Sequence, residues 1–199
     1  MSAAPRIILA SGSAIRADIL RAAGVRFDIV RPDVDEDAIK AAARAKGLGL
    51  QAMAQALADA KALAIKAPGA VVIGADQIMA ADGEGFDKPK TMEEAAARLS
   101  ALQGKPHCLI NAIAIARDGE IVFRNIDEPV LHLRSMKDDE IRRYLEDAGE
   151  EVLASVGAYQ VEALGSRLFE RIEGDYFAVL GLSLFPLLGY LRSESALDY

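Results

Sequence analysis

The run Ala70 to Ala75 (AVVIGA) is apolar throughout, and it constrains the fold more than any other stretch. A strand with one wet face alternates apolar and polar residues. A short continuous run rich in Val and Ile suits a strand covered on both faces, as in α/β proteins. Arg6 to Ala10 (RIILA) is a second short, β-rich run of this kind, and Ser11-Gly12-Ser13 follows it as a turn.

Helical patterns alternate with these runs. Ser13 suits the N-cap of a helix carrying Ile15, Ile19 and Ala23 on one face and ending at Gly24. Phe27 to Val30 reads as a second strand. Two helices follow, broken near Gly47 and Gly49, the second with Leu50, Met53 and Leu57 at helical spacing. Asp82 to Gly85 suits a hairpin turn. Thr91, with Glu94 three residues on, opens a helix by a capping-box pattern. Cys108 to Ala116 and Glu120 to Leu133 read as two long strands joined at Asp118-Gly119. Ser135 is expected to cap a helix through Leu145. Gly149 to Gly165 is loop-rich, Leu168 to Ile172 alternates like a strand, and an apolar helix is expected from about Leu182 to Leu191. The expected class is α/β with a mixed sheet, and 199 residues suffice for one compact domain or two packed lobes.

Composition narrows the partners. The formal net charge is −7, which argues against a nucleic-acid backbone or an anionic membrane as main partner. Local Lys and Arg can still line a cleft for small anions. The run Tyr176 to Leu191 contains Pro186 and falls short of the roughly 20 residues that a spanning helix needs, so it reads as core. No signal peptide is expected from MSAAPRIILASGS. The single cysteine, Cys108, excludes an internal disulfide, fits a cytoplasmic setting and reads as a buried structural thiol. No Cys/His set has zinc spacing.

Several residues carry candidate chemistry. In LASGSAIR, a strand ends, a small-residue turn follows and a helix begins, which presents backbone N–H groups to an anion. Ser11 and Ser13 add hydroxyls, and Arg16 could reach back to a phosphate. An ordinary capped connection is the plainer alternative. Asp76 is expected to terminate its strand, where open α/β sheets place ligand crevices. There it could hold a divalent cation or take a proton from water, or simply form a turn. Lys61 lies on or beside the apolar stripe of its helix, so it either snorkels along the edge or points at a phosphate. Asp35 and Glu36 are hard oxygen ligands or a solvated helix start. Lys88-Pro89-Lys90 is a phosphate clamp or a solvated loop. His107 reads as structural.

Together these pieces resemble the Maf family of nucleotide pyrophosphatases. The resembling motifs are LASGSAIR (Leu9 to Arg16), VDE (Val34 to Glu36), ADAKA (Ala58 to Ala62), IGADQ (Ile73 to Gln77), DKPK through GKPH (Asp87 to His107), and GAYQVE followed by LFERIEGDYFAVLGL (Gly157 to Leu182). The resemblance implies one Maf-like domain over residues 1–199. Its sheet would be elongated and mixed, flanked by helices in two lobes with a nucleotide cleft between them, as in inosine triphosphate pyrophosphatases. It implies hydrolysis of a nucleoside triphosphate to the monophosphate and pyrophosphate with a divalent metal, Mg or Mn, and it suggests a homodimer. Asp76 matches the proposed catalytic acid/base, and Glu36 an acid that positions metal or water, so both are candidate metal ligands. Lys61, Lys88 and Arg16 match phosphate-binding positions, beside Ser11 and Ser13.

The chain departs from the family pattern at Ala14 and Ile15, where the motif usually has Pro and Arg, so one cation is missing. Asp87 stands where Gly is common. Gln77 and Glu162 resemble the branch acting on 7-methyl-GTP, and a carboxylate at Glu162 could accept from a guanine edge. The GAY segment itself resembles the dTTP/UTP branch more. Two alternatives stay open at this point: a regulatory nucleotide-binding protein linked to cell division, and an enzyme acting on a non-nucleotide pyrophosphate.

Overall fold

The computed structural model describes residues 4–197. In chain order the elements are β1 (Ile7–Ala10), α1 (Ala14–Ala22), β2 (Asp28–Ile29), α2 (Glu36–Ala45), α3 (Leu50–Leu63), β3 (Val71–Ala81), β4 (Glu84–Phe86), α4 (Met92–Leu102), β5 (Pro106–Arg117), β6 (Glu120–Asp127), β7 (Val130–Leu133), α5 (Asp138–Ala148), two 3₁₀ segments (Gly149–Ala154 and Leu164–Leu168), β8 (Phe169–Glu173), α6 (Tyr176–Val179) and α7 (Leu184–Ser193). This is a mixed α/β fold with a central sheet flanked by helices. The strand order is β2-β1-β3-β5-β7-β8, with β4 beside β3 and β6 beside β5. Among the described residues, no helix is long and apolar enough to cross a membrane.

The chain divides into two compact units. The first holds residues up to Gln77, Asn111–Asp127 and those from Leu180 onward; the second holds Ile78–Ile110 and Glu128–Val179. In the first unit β1 runs parallel to both β2 and β3, with Leu9 opposite Ile29 and Ala10 opposite Gly74. The core strand Val71–Ile73 is fully covered, as its unbroken apolar run requires. Helix α3 comes very close to this strand at Gly74. A Cβ at Gly74 would stand 2.2 Å from Ala58 O and 2.6 Å from Ala62 N, so only glycine lets the helix backbone approach. The second unit has its own core around Met79, Leu99, Leu109, Leu131, Leu133, Tyr144 and Leu168.

Local signals set most element ends. Ser13 Oγ accepts from Arg16 N (3.5 Å) at the start of α1, and Gly24 takes φ 72° beyond its end. The buried face of α1 is Ala17, Ile19 and Leu20; Ile15 is half-buried and Ala23 exposed, so the stripe is rotated from the expected one. Asp82 and Gly83, at φ 51° and 84°, form the two-residue turn between β3 and β4. Thr91 Oγ1 accepts from Glu94 N (3.2 Å), but the Glu94 carboxylate accepts from Lys90 N (2.8 Å), one residue ahead of the N-cap.

Four expectations need correction. The strand expected from Phe27 to Val30 is only Asp28–Ile29, both exposed at the sheet edge. The strand expected over Glu120 to Leu133 breaks at Glu128-Pro129 into β6 and β7, because proline has no N–H for the ladder. Helix α5 starts after Lys137 rather than Ser135, since the Glu140 carboxylate accepts from Lys137 N (2.9 Å) and closes the helix end there. The apolar C-terminal run forms two helices, α6 and α7, separated where Gly181 takes φ 97°. Pro186 sits in the first turn of α7, where a missing N–H costs little.

Candidate active site

In the first unit, the parallel pairing of three strands stops along one line. β1 leads into Ser11-Gly12-Ser13, β2 leads to Arg31, and the β1–β3 pairing stops at Gly74, two residues before Asp76. Asp76 therefore does not terminate its strand: β3 continues to Ala81 because β4 takes over as its partner. The carboxylate still emerges beside the carboxyl end of β1, where α/β sheets open their crevices.

Lys61 joins the acids. It lies in the buried stripe of α3 with Leu57, Ala58 and Ala62, and is only 9 % exposed. Its Nζ is 2.6 Å from Asp76 Oδ1 and 2.9 Å from Glu36 Oε1. A snorkelling lysine would put its ammonium in water, so that reading is set aside. Asp76 is 7 % exposed. Burial of this kind is tolerable for a charge only when it is paired, as here. The two acids of the VDE motif divide the local tasks. Asp35 is the N-cap of α2, its Oδ1 accepting from Ala38 N (2.9 Å), while Glu36 turns its carboxylate to Lys61.

Arg16 is fastened by backbone carbonyls. Its Nε donates to Gly181 O (2.6 Å), and one terminal nitrogen donates to Ala75 O (2.9 Å) and Ser11 Oγ (3.4 Å). Burial draws the guanidinium below its ordinary pKa, and the carboxylates of Asp76 and Glu36 oppose that shift. Arg16 thus ties the Ser11–Ser13 turn, the residue before Asp76 and the segment before α7 together. Asn111, fully buried, holds that last segment from the other side. With its amide nitrogen toward Gly181 O (2.9 Å), its oxygen accepts from Ser183 N (3.0 Å) and Oγ (2.7 Å), so every atom has a partner.

The serines are arranged as acceptors within the turn. Ser11 Oγ accepts from Ser13 N (3.1 Å) and Arg16, and Ser13 Oγ from Arg16 N. A hydroxyl that accepts in this way keeps its own O–H for donation. Gln77 follows Asp76 on β3 and is half-buried; a Cβ at Gly181 would lie 3.8 Å from its Nε2. Lys88 and Glu162 belong to the second unit, where both are exposed. Glu162 there adds to the burial that raises the Tyr144 phenol to about 12.

Among the described residues, no group of three or more His, Cys, Asp and Glu side chains stands together as a metal site. Glu36 and Asp76 nevertheless converge on one cation, the Lys61 ammonium. Mg²⁺ and Mn²⁺ are held by one or two carboxylates when substrate phosphates supply further oxygens. The pair fits that incomplete kind of site. Cys108 is not a rival nucleophile: burial first, then Glu128, pushes its thiol up to about 11.

Arg31, Asn111 and Gly74 were not singled out from the sequence. Arg31 could have been found by pairing the first two strands in parallel, which sets the residue after one beside the turn after the other. Gly74 had a signal in the small residues Ala54, Ala58 and Ala62 of the facing helix. Asn111 had none, because its partners are distant in the chain.

The chain matches the Maf family, described as Maf-like protein, over residues 6–194. It is 48 % identical over 195 residues to a nucleoside triphosphate pyrophosphatase of Maricaulis maris (strain MCS10), covering 97 % of this chain and 98 % of the relative. It is 45 % identical over 193 residues to a nucleoside triphosphate pyrophosphatase of Hyphomonas neptunium (strain ATCC 15444), covering 96 % and 97 %. It is 43 % identical over 195 residues to a 7-methyl-GTP pyrophosphatase of Brucella abortus biovar 1 (strain 9-941), again covering 97 % and 98 %.

Proposed function

We propose that this chain, which belongs to the Maf family, is a hydrolase that cleaves the α–β phosphoanhydride of a nucleoside triphosphate, giving the monophosphate and pyrophosphate. The single observation that carries the reading is the ion-paired Asp76–Lys61–Glu36 constellation, with Asp76 and Lys61 buried, beside the Ser11–Ser13 turn. The names of its relatives support an enzyme rather than a purely regulatory nucleotide-binding protein.

In this reading Asp76 takes the proton from the attacking water as the bridging P–O bond breaks and pyrophosphate leaves. Its backbone is held in the middle of β3, and its carboxylate is steadied by Lys61 at 2.6 Å, so it is aimed before substrate arrives. The Ser11 and Ser13 hydroxyls and the N–H groups opening α1 receive phosphate oxygens. Lys61 is poised to share its ammonium between carboxylates and phosphate, and Lys88 is a further phosphate contact. Glu36 and Asp76 would hold a divalent cation, Mg or Mn, whose chemistry when bound is to neutralise charge on the phosphates. Arg16 keeps Ser11 and Ala75 in register around the turn.

Gln77 and Glu162 are proposed to read the base, with 7-methyl-GTP the favoured substrate. Relatives from Brucella abortus and Brucella suis bear that substrate in their names. The proposal also includes the finer architecture that the family implies: one domain with a nucleotide cleft between two lobes, assembled as a homodimer in the cytoplasm.

The test is kcat/KM for 7-methyl-GTP, GTP, UTP and dTTP, with products resolved, in wild type and Glu162→Gln. The expected product is pyrophosphate. The substitution should lower activity on the methylated guanine more than on the pyrimidines, because a charged acceptor is lost. Stepwise orthophosphate release would overturn the reaction, and an unchanged ranking would overturn Glu162 as a base reader.

A further inference from the structure

The cations nearest the Ser11–Ser13 turn are mostly committed. Arg16 is bound to Gly181 O, Ala75 O and Ser11 Oγ, and Lys61 sits between Asp76 and Glu36. The charges of Arg16 and Lys61 balance those of Asp76 and Glu36, which leaves this cluster neutral where a polyanion is to bind. Position 15, one residue before Arg16 in α1, is Ile.

Arg31 is placed differently. It follows β2, whose parallel pairing with β1 sets Ile29 opposite Leu9 and lets Val30 N donate to Leu9 O (3.1 Å). The chain leaving β2 therefore runs beside the turn leaving β1. The Arg31 side chain lies against Gly12: a Cβ there would be 3.2 Å from Arg31 Nε and 3.6 Å from Cδ and Cζ. The backbone at Gly12 is outside the left-handed region, so glycine is not needed there for its φ. What the missing side chain leaves room for is Arg31. The guanidinium is exposed and forms no hydrogen bond or ion pair with another described residue.

We infer that Arg31 is a phosphate-binding residue of this site, gripping the polyphosphate of the substrate over Gly12 and supplying the cation that α1 lacks at Ile15. The inference rests on the reading of the site given above. A guanidinium suits the task because its planar fork can give two parallel N–H bonds to one phosphate. Its lack of an internal partner means that it binds anion without first breaking an ion pair. Its exposure means that the contact is partly screened by salt.

The experiment is isothermal titration of wild type, Arg31→Ala, Arg31→Lys and Arg31→Glu with inorganic tripolyphosphate and Mg²⁺. The salt is about 0.1 M, where the screening length is ~10 Å. A thermal melt of each variant confirms its fold. Kd should rise by about 5- to 20-fold in the alanine variant, as loss of one charge-assisted contact implies. It should stay within about 3-fold in the lysine variant and rise furthest in the glutamate variant. KM for the triphosphate should follow the same order while kcat moves little. An unchanged Kd across the series overturns the inference. Equal weakening in all three overturns it too, because that pattern marks a role in the shape of the turn rather than in charge. Arg31-dependent tripolyphosphate binding without hydrolysis by wild type would refute the proposed reaction alone; normal hydrolysis with Arg31-independent binding would refute only this inference.

Discussion

Replacing Lys61 by methionine tests whether the buried ammonium holds the site together. Met fills the volume of the lysine stem and removes the charge. Asp76 and Glu36 then face each other with side chains 10 % and 43 % exposed. Breaking a fully buried ion pair costs roughly 3–5 kcal/mol. Glu36 can turn partly into water, so the structure points to about 2–4 kcal/mol here. For a chain of this size each kcal/mol moves the melting temperature by about 2–4 °C, which gives a fall of roughly 5–15 °C at pH 8. Calorimetric melting of both proteins at this pH measures the loss. A variant that melts within 1 °C of wild type, a shift of only about a third of a kcal/mol, would refute the idea that Lys61 neutralises the Asp76–Glu36 pair.

Gly74→Ala should cost about 3 kcal/mol or more, since its new methyl would meet the α3 backbone at Ala58 O and Ala62 N; wild-type melting would contradict the close approach that brings Lys61 to Asp76. His107 gives a pH dependence whose direction follows from burial. It is buried against Tyr159, and burial first, then His132, lowers its imidazole to about 4 from 6.5. The unfolded chain takes up this proton near 6.5 and the folded chain only near 4, so His107 contributes stability above 6.5 that is lost as pH falls from 6.5 to 4. The difference corresponds to about 3 kcal/mol at most. Urea midpoints at pH 7 and 4.5 should fall less in His107→Phe than in wild type, and equal falls would contradict the assignment.

Much of this was legible in the sequence because it is local. The small turn after Arg6–Ala10, the Ser13 and Thr91 caps and the Asp82-Gly83 turn each follow from a few neighbouring residues. The unbroken apolar run at Ala70–Ala75 gave the covered strand for the same reason. What failed was non-local. Asp76 was expected at a strand end because the apolar run stops there, yet β4 pairs with Met79–Ala81 and carries the strand on. Pro129 was a visible breaker inside an alternating pattern, and the length of the pattern hid it. The choice between a snorkelling and an inward Lys61 could not be made from helix spacing, because it depends on acids from β3 and α2. Arg31 and Asn111 acquire their places only through strand pairing and through a contact with Ser183.

Quantitative pyrophosphate release from a nucleoside triphosphate by wild type and Asp76→Asn tests most directly the proposal that Asp76 drives cleavage of the α–β bond. The substitution keeps the shape and removes the charge, and a melting curve confirms that the variant is folded. Wild type should release one pyrophosphate per monophosphate formed in the presence of Mg²⁺, and the variant should be slower by about 10²–10⁴-fold, the usual loss when a general base is removed. A folded Asp76→Asn protein with wild-type turnover, or a wild type that releases orthophosphate in place of pyrophosphate, would contradict it.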